Sequence, residues 1–131
     1  MLRTGILNPA LLSLLARVRH TNTLVIADRG FLSWPEMETI DLSLVDEIPT
    51  VSQVVAAIRP NFAIARAFLA EEFRNHNSKA AVEELLAQLR GVPVEFKPHL
   101  ALKRRVPVAI GIIRTGDTRP YSNLILESGG E

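Results

Sequence analysis

The stretch His20-Thr21-Asn22-Thr23-Leu24-Val25-Ile26-Ala27-Asp28-Arg29-Gly30 decides the fold class. Its centre, 23–27, is an apolar run of strand length with polar turn residues on both sides, which predicts a buried strand. The residues before it predict a helix over 9–19. Asn8 is a good N-cap, Pro9 fits the first helical position, and Leu11, Leu12, Leu14, Leu15 and Val18 form an apolar stripe.

The alternation continues outward. A short alternating strand is predicted over 40–44. Thr50 can cap a helix that runs to Arg59 and stops at Pro60. Residues 63–70 are apolar except for Arg66 and read as a strand, and 74–77 reads as a polar turn. Asn77 or Ser78 caps an amphipathic helix over 79–90, with Val82, Leu85, Leu86 and Leu89 on one face and Gly91 at its end. A strand over 94–97, a short helix over 99–105 ahead of Pro107, and late strands over 108–113 and 124–127 complete the pattern. It predicts an α/β fold, a single compact domain over 1–131 with helices packed in layers around a mixed sheet. Strand order does not follow from the pattern.

Bulk properties narrow the function. A chain of 131 residues is a common size for one domain and can bury a core without metals or disulfides. Its 15 basic and 14 acidic residues leave a net charge of +1, so no global field draws nucleic acid or an anionic membrane. The one basic run, Lys103-Arg104-Arg105, reads as a solvated helix end rather than a phosphate patch. With no cysteine, disulfides, thiolate catalysis and zinc–thiolate sites are excluded. No window approaches the roughly 20 apolar residues of a membrane span. The apolar stretch after Arg3 is broken by Asn8-Pro9 and carries no small-x-small cleavage signal, so a soluble, cytoplasmic protein is expected. An apolar fraction of 47% is slightly high for a domain with this much surface, which points to burial in an oligomer interface.

Candidate chemistry sits in the turns. His20 lies between the first helix and first strand, Asp28 ends that strand, and His99 follows the strand over 94–97. Tyr121 and Asn123 stand just before the last strand. Loops at strand ends are where α/β proteins usually hold their functional groups. Two imidazoles, a carboxylate, a phenol and an amide suit proton transfer on a neutral, hydroxyl-rich ligand. Each also has a structural reading. His20 could cap helix carbonyls, Asp28 could form a turn, His99 could open a helix, Tyr121 could pack, and Asn123 could cap its turn. His76, in the polar turn, reads as structural, and Trp34 as interface packing before sugar stacking. No GxGxxG, Walker loop, HExxH or GxSxG occurs, so nucleotide, metal and acyl-transfer chemistry lack motif support.

Taken together these segments resemble the D-ribose pyranase/fucose mutarotase family, the pyranase branch most closely. The resemblance starts at Gly5-Ile6-Leu7-Asn8 and passes through the opening stretch, Ile40-Asp41-Leu42-Ser43-Leu44 and Ala70-Glu71-Glu72. It closes with Ile113-Arg114-Thr115-Gly116-Asp117 and Pro120-Tyr121-Ser122-Asn123-Leu124-Ile125-Leu126. The spacing from His99 to Arg114 makes His99 the counterpart of the family's second histidine. The resemblance implies a ring-forming homo-oligomer, a decamer of two pentameric rings, with sites at subunit interfaces. It implies interconversion of pyranose and furanose forms of a free aldose, D-ribose first, without a cofactor or metal. His20 would be the proton donor, and Asp28, His99, Tyr121, Ser122 and Asn123 would bind the monosaccharide. Two segments depart from the family pattern. Arg29-Gly30-Phe31-Leu32 stands where Ala-Gly-Leu-Pro is usual. After His99, where acidic residues and Phe-Lys are usual, only Lys103 remains, as a supporting residue.

The chemistry is modest. The ring oxygen must gain a proton and the anomeric hydroxyl must lose one; the free aldehyde then recloses through another hydroxyl. General acid–base groups contribute roughly 10²–10⁴-fold each to such steps, and histidine's ordinary pKa of about 6.5 suits them. His20 is assigned the proton for the ring oxygen; the acceptor of the anomeric proton is left open between His99 and a water. At roughly 3.3 Å per residue, His20 and Asp28 should lie about 20 Å or more apart at opposite strand ends. Both can touch one sugar only if neighbouring subunits share the pocket. The alternatives are a mutarotase of fucose or another sugar, a non-catalytic sugar-binding or regulatory module, and a purely structural ring protein.

Overall fold

A computed structural model gives the fold and describes residues 1–129. The predicted α/β class holds. The first helix, α1 (Pro9–Arg17), starts as its sequence dictates, with Asn8 Oδ1 accepting the Leu11 N–H at 2.9 Å. It stops two residues short of the prediction because Val18 is already extended and the Arg19 N–H turns to Asn22 Oδ1 at 2.8 Å. The strand β1 (Thr23–Ala27) has the predicted bounds and is buried almost throughout.

The strand β2 (Thr39–Asp41) is shorter than predicted. Asp41 Oδ1 accepts the Ser43 N–H at 2.9 Å, and this local turn withdraws the backbone from the ladder. A capping box between Thr50 and Gln53 opens α2 (Val51–Ile58), and Pro60 leads the chain into a 3-10 turn over Arg59–Asn61. The strand β3 (Ile64–Ala70) follows. Directly after it comes α3 (Glu71–His76), where the sequence reading placed a polar turn over its second half. Its start has no side-chain cap, so the local signal was missing. Phe73, fully buried in the core, holds it in place. Ser78 caps α4 (Lys79–Gln88). The strand β4 (Val94–Lys97) and helix α5 (His99–Arg105) match their predicted bounds. A 3-10 turn around Pro107 then delays β5 to Gly111–Arg114 and removes 108–110 from the predicted strand. The chain ends its sheet with β6 (Leu124–Ser128).

The six strands form one mixed sheet in the order β2-β5-β1-β6-β3-β4. β1 and β2 pair parallel with β5, β3 pairs parallel with β4, and β6 runs antiparallel between β1 and β3. Alternate residues serve opposite faces. Leu24 and Ile26 join α1, α2 and α4 in one core through Leu14, Val55 and Leu85; Val25 and Ala27 join Leu102 of α5 and Phe68 in the other. Cutting a buried leucine such as Leu14 to alanine in such a core costs roughly 2–5 kcal/mol. No helix of the described residues is long and apolar enough to cross a membrane.

Candidate active site

Because β6 runs against its neighbours, its start lies at the same sheet edge as the ends of β1, β3 and β4. Asp28, His99 and Asn123 therefore converge, at the carboxyl edge where open α/β sheets place ligands. They line a cleft of about 430 Å³ together with Gly30, Phe31, Leu32, Lys103, Pro120 and Tyr121. That volume falls in the range of about 300–1,000 Å³ usual for small-molecule pockets.

Each member is held by its own bonds. Asn123 Oδ1 accepts the Asp28 N–H at 2.9 Å, which locks the end of β1 to the start of β6. Asp28 Oδ1 accepts the Gly30 N–H at 2.9 Å. His99 is the first residue of α5, and its N–H donates to the Glu72 carboxylate at 3.0 and 3.2 Å. Its Nδ1 is buried with no hydrogen-bond partner among the described residues. Tyr121, at φ +58°, meets the His99 ring edge-on at 5.1 Å between centroids. Lys103 reaches the cleft from the last turn of α5, so part of the basic run faces the pocket. Arg105 of that run lies 4.1 Å over the Phe68 ring, so it is not simply solvated.

The environment shifts two of the titratable lining groups, Asp28 and His99. Burial lifts the Asp28 carboxyl above its ordinary range, and the nearby Asp117 charge adds to this; bonds from Gly30 and Asn123 work against it. Burial, helped by the Lys103 charge, holds His99 below the ordinary histidine value, so its neutral imidazole prevails at neutral pH. A neutral imidazole with a free nitrogen, a half-buried carboxyl, a phenol, an ammonium and an amide can exchange hydrogen bonds and protons with a polyhydroxylated ligand. Among the described residues, no group of three or more His, Cys, Asp or Glu gathers to hold a metal ion.

Two sequence candidates fall outside this lining. Ser122 lies between two lining residues but is not part of the lining. Its hydroxyl is buried, 1% exposed, without a hydrogen-bond partner among the described residues. His20 is exposed in the turn before β1, at the opposite sheet edge, with its ring over Gly129. It does not cap α1; Arg19 takes that work, donating to Ala16 O at 2.6 Å and Val18 O at 3.1 Å.

A sequence profile of the RbsD / FucU transport protein family matches residues 1–130. This chain belongs to that family. It is 43% identical over 129 residues to the D-ribose pyranase of Geobacillus kaustophilus, covering 98% of this chain and 94% of the relative. It is 39% identical over 129 residues to the D-ribose pyranase of Geobacillus thermodenitrificans, covering 98% and 97%. The structure of Bacillus subtilis RbsD complexed with D-ribose superposes with a TM-score of 0.92 at 31% identity, covering 100% of this chain and 99% of the other. A fucose mutarotase in complex with L-fucose from Streptococcus pneumoniae, 18% identical, shares the fold with a TM-score of 0.77 over 95% and 94%.

Within this RbsD/FucU chain, several supporting residues escaped sequence reasoning. Arg114 donates to the carbonyls of Arg29, Phe31 and Leu32 at 3.2, 2.7 and 3.4 Å and so fixes the apolar wall of the cleft. Arg29 itself points away, paired with Asp46 at 2.6 Å. Asp117, 1% exposed, accepts the Val51 N–H at the start of α2 and the Arg119 N–H, both at 2.9 Å. The sequence signal for Phe31 and Leu32 was their departure from the family loop pattern. Glu72 and Arg114 gave no local signal, because their partners are distant in the chain. Trp34 packs beside the second core, outside the cleft.

Proposed function

We propose that this protein is an aldose ring isomerase interconverting the pyranose and furanose forms of D-ribose. The cleft of Asp28, His99, Lys103, Tyr121 and Asn123 is the observation that carries the reading, supported by the two D-ribose pyranase relatives and the ribose-complexed RbsD fold. Asp28 and Asn123 fix sugar hydroxyls, and Lys103 and the Tyr121 phenol add donors along the ring. His99, neutral, offers its unpartnered Nδ1 to a hydroxyl. Phe31 and Leu32 cover the apolar face of the pentose.

The proton for the ring oxygen comes from His20. Since β1 separates it from the cleft, the His20 that reaches a given sugar belongs to a neighbouring subunit, and the working form is a ring-shaped oligomer, a decamer of two pentamers. Exposed Met1, Leu2, Leu7, Leu12 and Leu44 supply apolar surface for such assembly. The protein works in the cytoplasm on free sugar, without cofactor. Protonation of the ring oxygen and loss of the anomeric proton open the hemiacetal, and closure through a different hydroxyl gives the other ring size.

Saturation-transfer NMR on free D-ribose tests this directly. The wild type should accelerate pyranose–furanose exchange, and His20→Ala should lower that rate by about 10²-fold or more while ribose binding persists. Unchanged exchange in His20→Ala, or no acceleration by the wild type, refutes the reading.

A further inference from the structure

Tyr121 is the chain's single tyrosine, and it stands between two imidazoles. His99 belongs to the cleft. His76 does not; it is the last residue of α3 and is exposed, yet its ring centroid lies 5.1 Å from that of Tyr121 at an interplanar angle of 48°. Such tilted aromatic pairs attract beyond their buried area.

The His76 ring is not free to wander. Its Nδ1 lies 2.9 Å from Glu72 O. A carbonyl only accepts, so Nδ1 carries the proton and the ring plane is set by the helix itself. The next residue, Asn77, donates through Nδ2 to Phe73 O and to Pro120 O, both at 2.9 Å. The second bond ties the end of α3 to the residue just before Tyr121. Glu72, one turn earlier, holds the His99 N–H. One short helix thus supports both rings that face the sugar. Tyr121 needs that support, because φ +58° is a costly conformation for a bulky residue.

We propose that His76 is a positioning residue that sets the angle at which the Tyr121 phenol enters the cleft. It touches no sugar; it acts through Tyr121. The inference rests on the reading that Tyr121 binds ribose.

The experiment uses full-length protein labelled at its one tyrosine, so that a single ring signal reports Tyr121 by NMR. His76→Ala should shift that signal and raise KM for ribose by about three- to tenfold, the value of one aromatic pair, with kcat nearly unchanged. His76→Phe, which restores a ring, should return both toward wild type. In a Tyr121→Phe background, whose phenol is already gone, His76→Ala should add little further loss. If His76→Ala does not fold, His76→Leu, which keeps bulk without a ring, is judged by the same criteria. An unmoved signal with unmoved KM overturns the proposal, and so does a full additional loss in the Tyr121→Phe background. If Tyr121→Phe alone binds ribose like the wild type, the cleft reading has failed, while the ring signal still decides the His76–Tyr121 contact.

Discussion

The imidazole of His20 lies against the backbone of Gly129: a Cβ built on that glycine would stand 2.6 Å from Nδ1 and 2.8 Å from Cε1. Gly129 has φ +127°, a region glycine tolerates and other residues avoid. Two bonds fix the turns to each other, Thr21 N–H to Ser128 O at 3.0 Å and Ser128 N–H to Asn22 O at 2.9 Å. The backbone cannot retreat, so a side chain at 129 must displace the ring. Gly129→Ala should slow ribose ring exchange about tenfold or more through lost orientation. Added to His20→Ala, it should cost nothing further. Exchange rates of the two single variants and the double variant check this; equal losses on both backgrounds would refute it.

Separation of His20 from the cleft predicts subunit complementation. His20→Ala and Asp28→Asn should each be nearly inactive. Mixed during refolding, they should recover activity, because some interfaces pair an intact His20 with an intact cleft. Recovery is read as ribose exchange against mixing ratio. No recovery in assemblies proven to be mixed by mass would rule out a shared site.

Asp28→Asn carries a second prediction. Burial raises the folded pKa of Asp28, so the folded chain holds this proton to higher pH than the unfolded chain does. Stability therefore falls as pH rises from the ordinary carboxylate range through the raised value, and above it the penalty is complete. Asparagine removes the charge and keeps an acceptor for the Gly30 N–H. At pH 7 the sugar-free variant should melt above the wild type, while its ribose affinity falls about tenfold or more, as for a lost bond to a charged group. Calorimetry with and without ribose measures both.

His99 shifts the other way and gives an acid limb. Its folded pKa is lowered, so below the ordinary value of about 6.5 the unfolded chain takes up the proton first. Stability falls as pH drops from that value through the lowered one. Ribose binding should stay flat through pH 6.5 and weaken only below it, and His99→Gln should abolish that limb. Titration calorimetry across the acid range decides it.

Asp117 is a stability residue. Removing its carboxylate leaves the Val51 and Arg119 N–H groups without their acceptor. Asp117→Ala should cost roughly 1–3 kcal/mol for each donor left buried and unpaired. Denaturant unfolding measures the loss; a change under half a kilocalorie would contradict it.

Much of the fold was legible locally. Asn8, Thr50 and Ser78 announce their helices through cap bonds that need only residues three positions away. The bounds of β1, β4 and α5 follow from apolar runs and their punctuation. α3 was missed because Ala70 provides no side-chain cap and the helix is held mainly by Phe73, whose partners come from distant segments. β2 ended early because the Asp41 side chain competes for its backbone. In the cleft, the polar groups at strand ends could be named in advance. The loop Arg29-Gly30-Phe31-Leu32 stood out by its departure from the family pattern, but Arg114 and Glu72 could not be named, since each acts through a partner far away in sequence.

The sequence by itself determined most element types, α3 excepted, the family resemblance and the kinds of side chain at each strand end. Side-chain periodicity and capping are short-range, so they can be read along the chain. Only the tertiary structure decided that β6 inserts antiparallel between β1 and β3. That choice gathers Asp28, His99 and Asn123 at one edge and leaves His20 with Gly129 at the other. Strand pairing is made by backbone hydrogen bonds between segments as far apart in the chain as Thr23 and Glu127. Alternation tells a strand which face to bury, but not which strand will lie beside it.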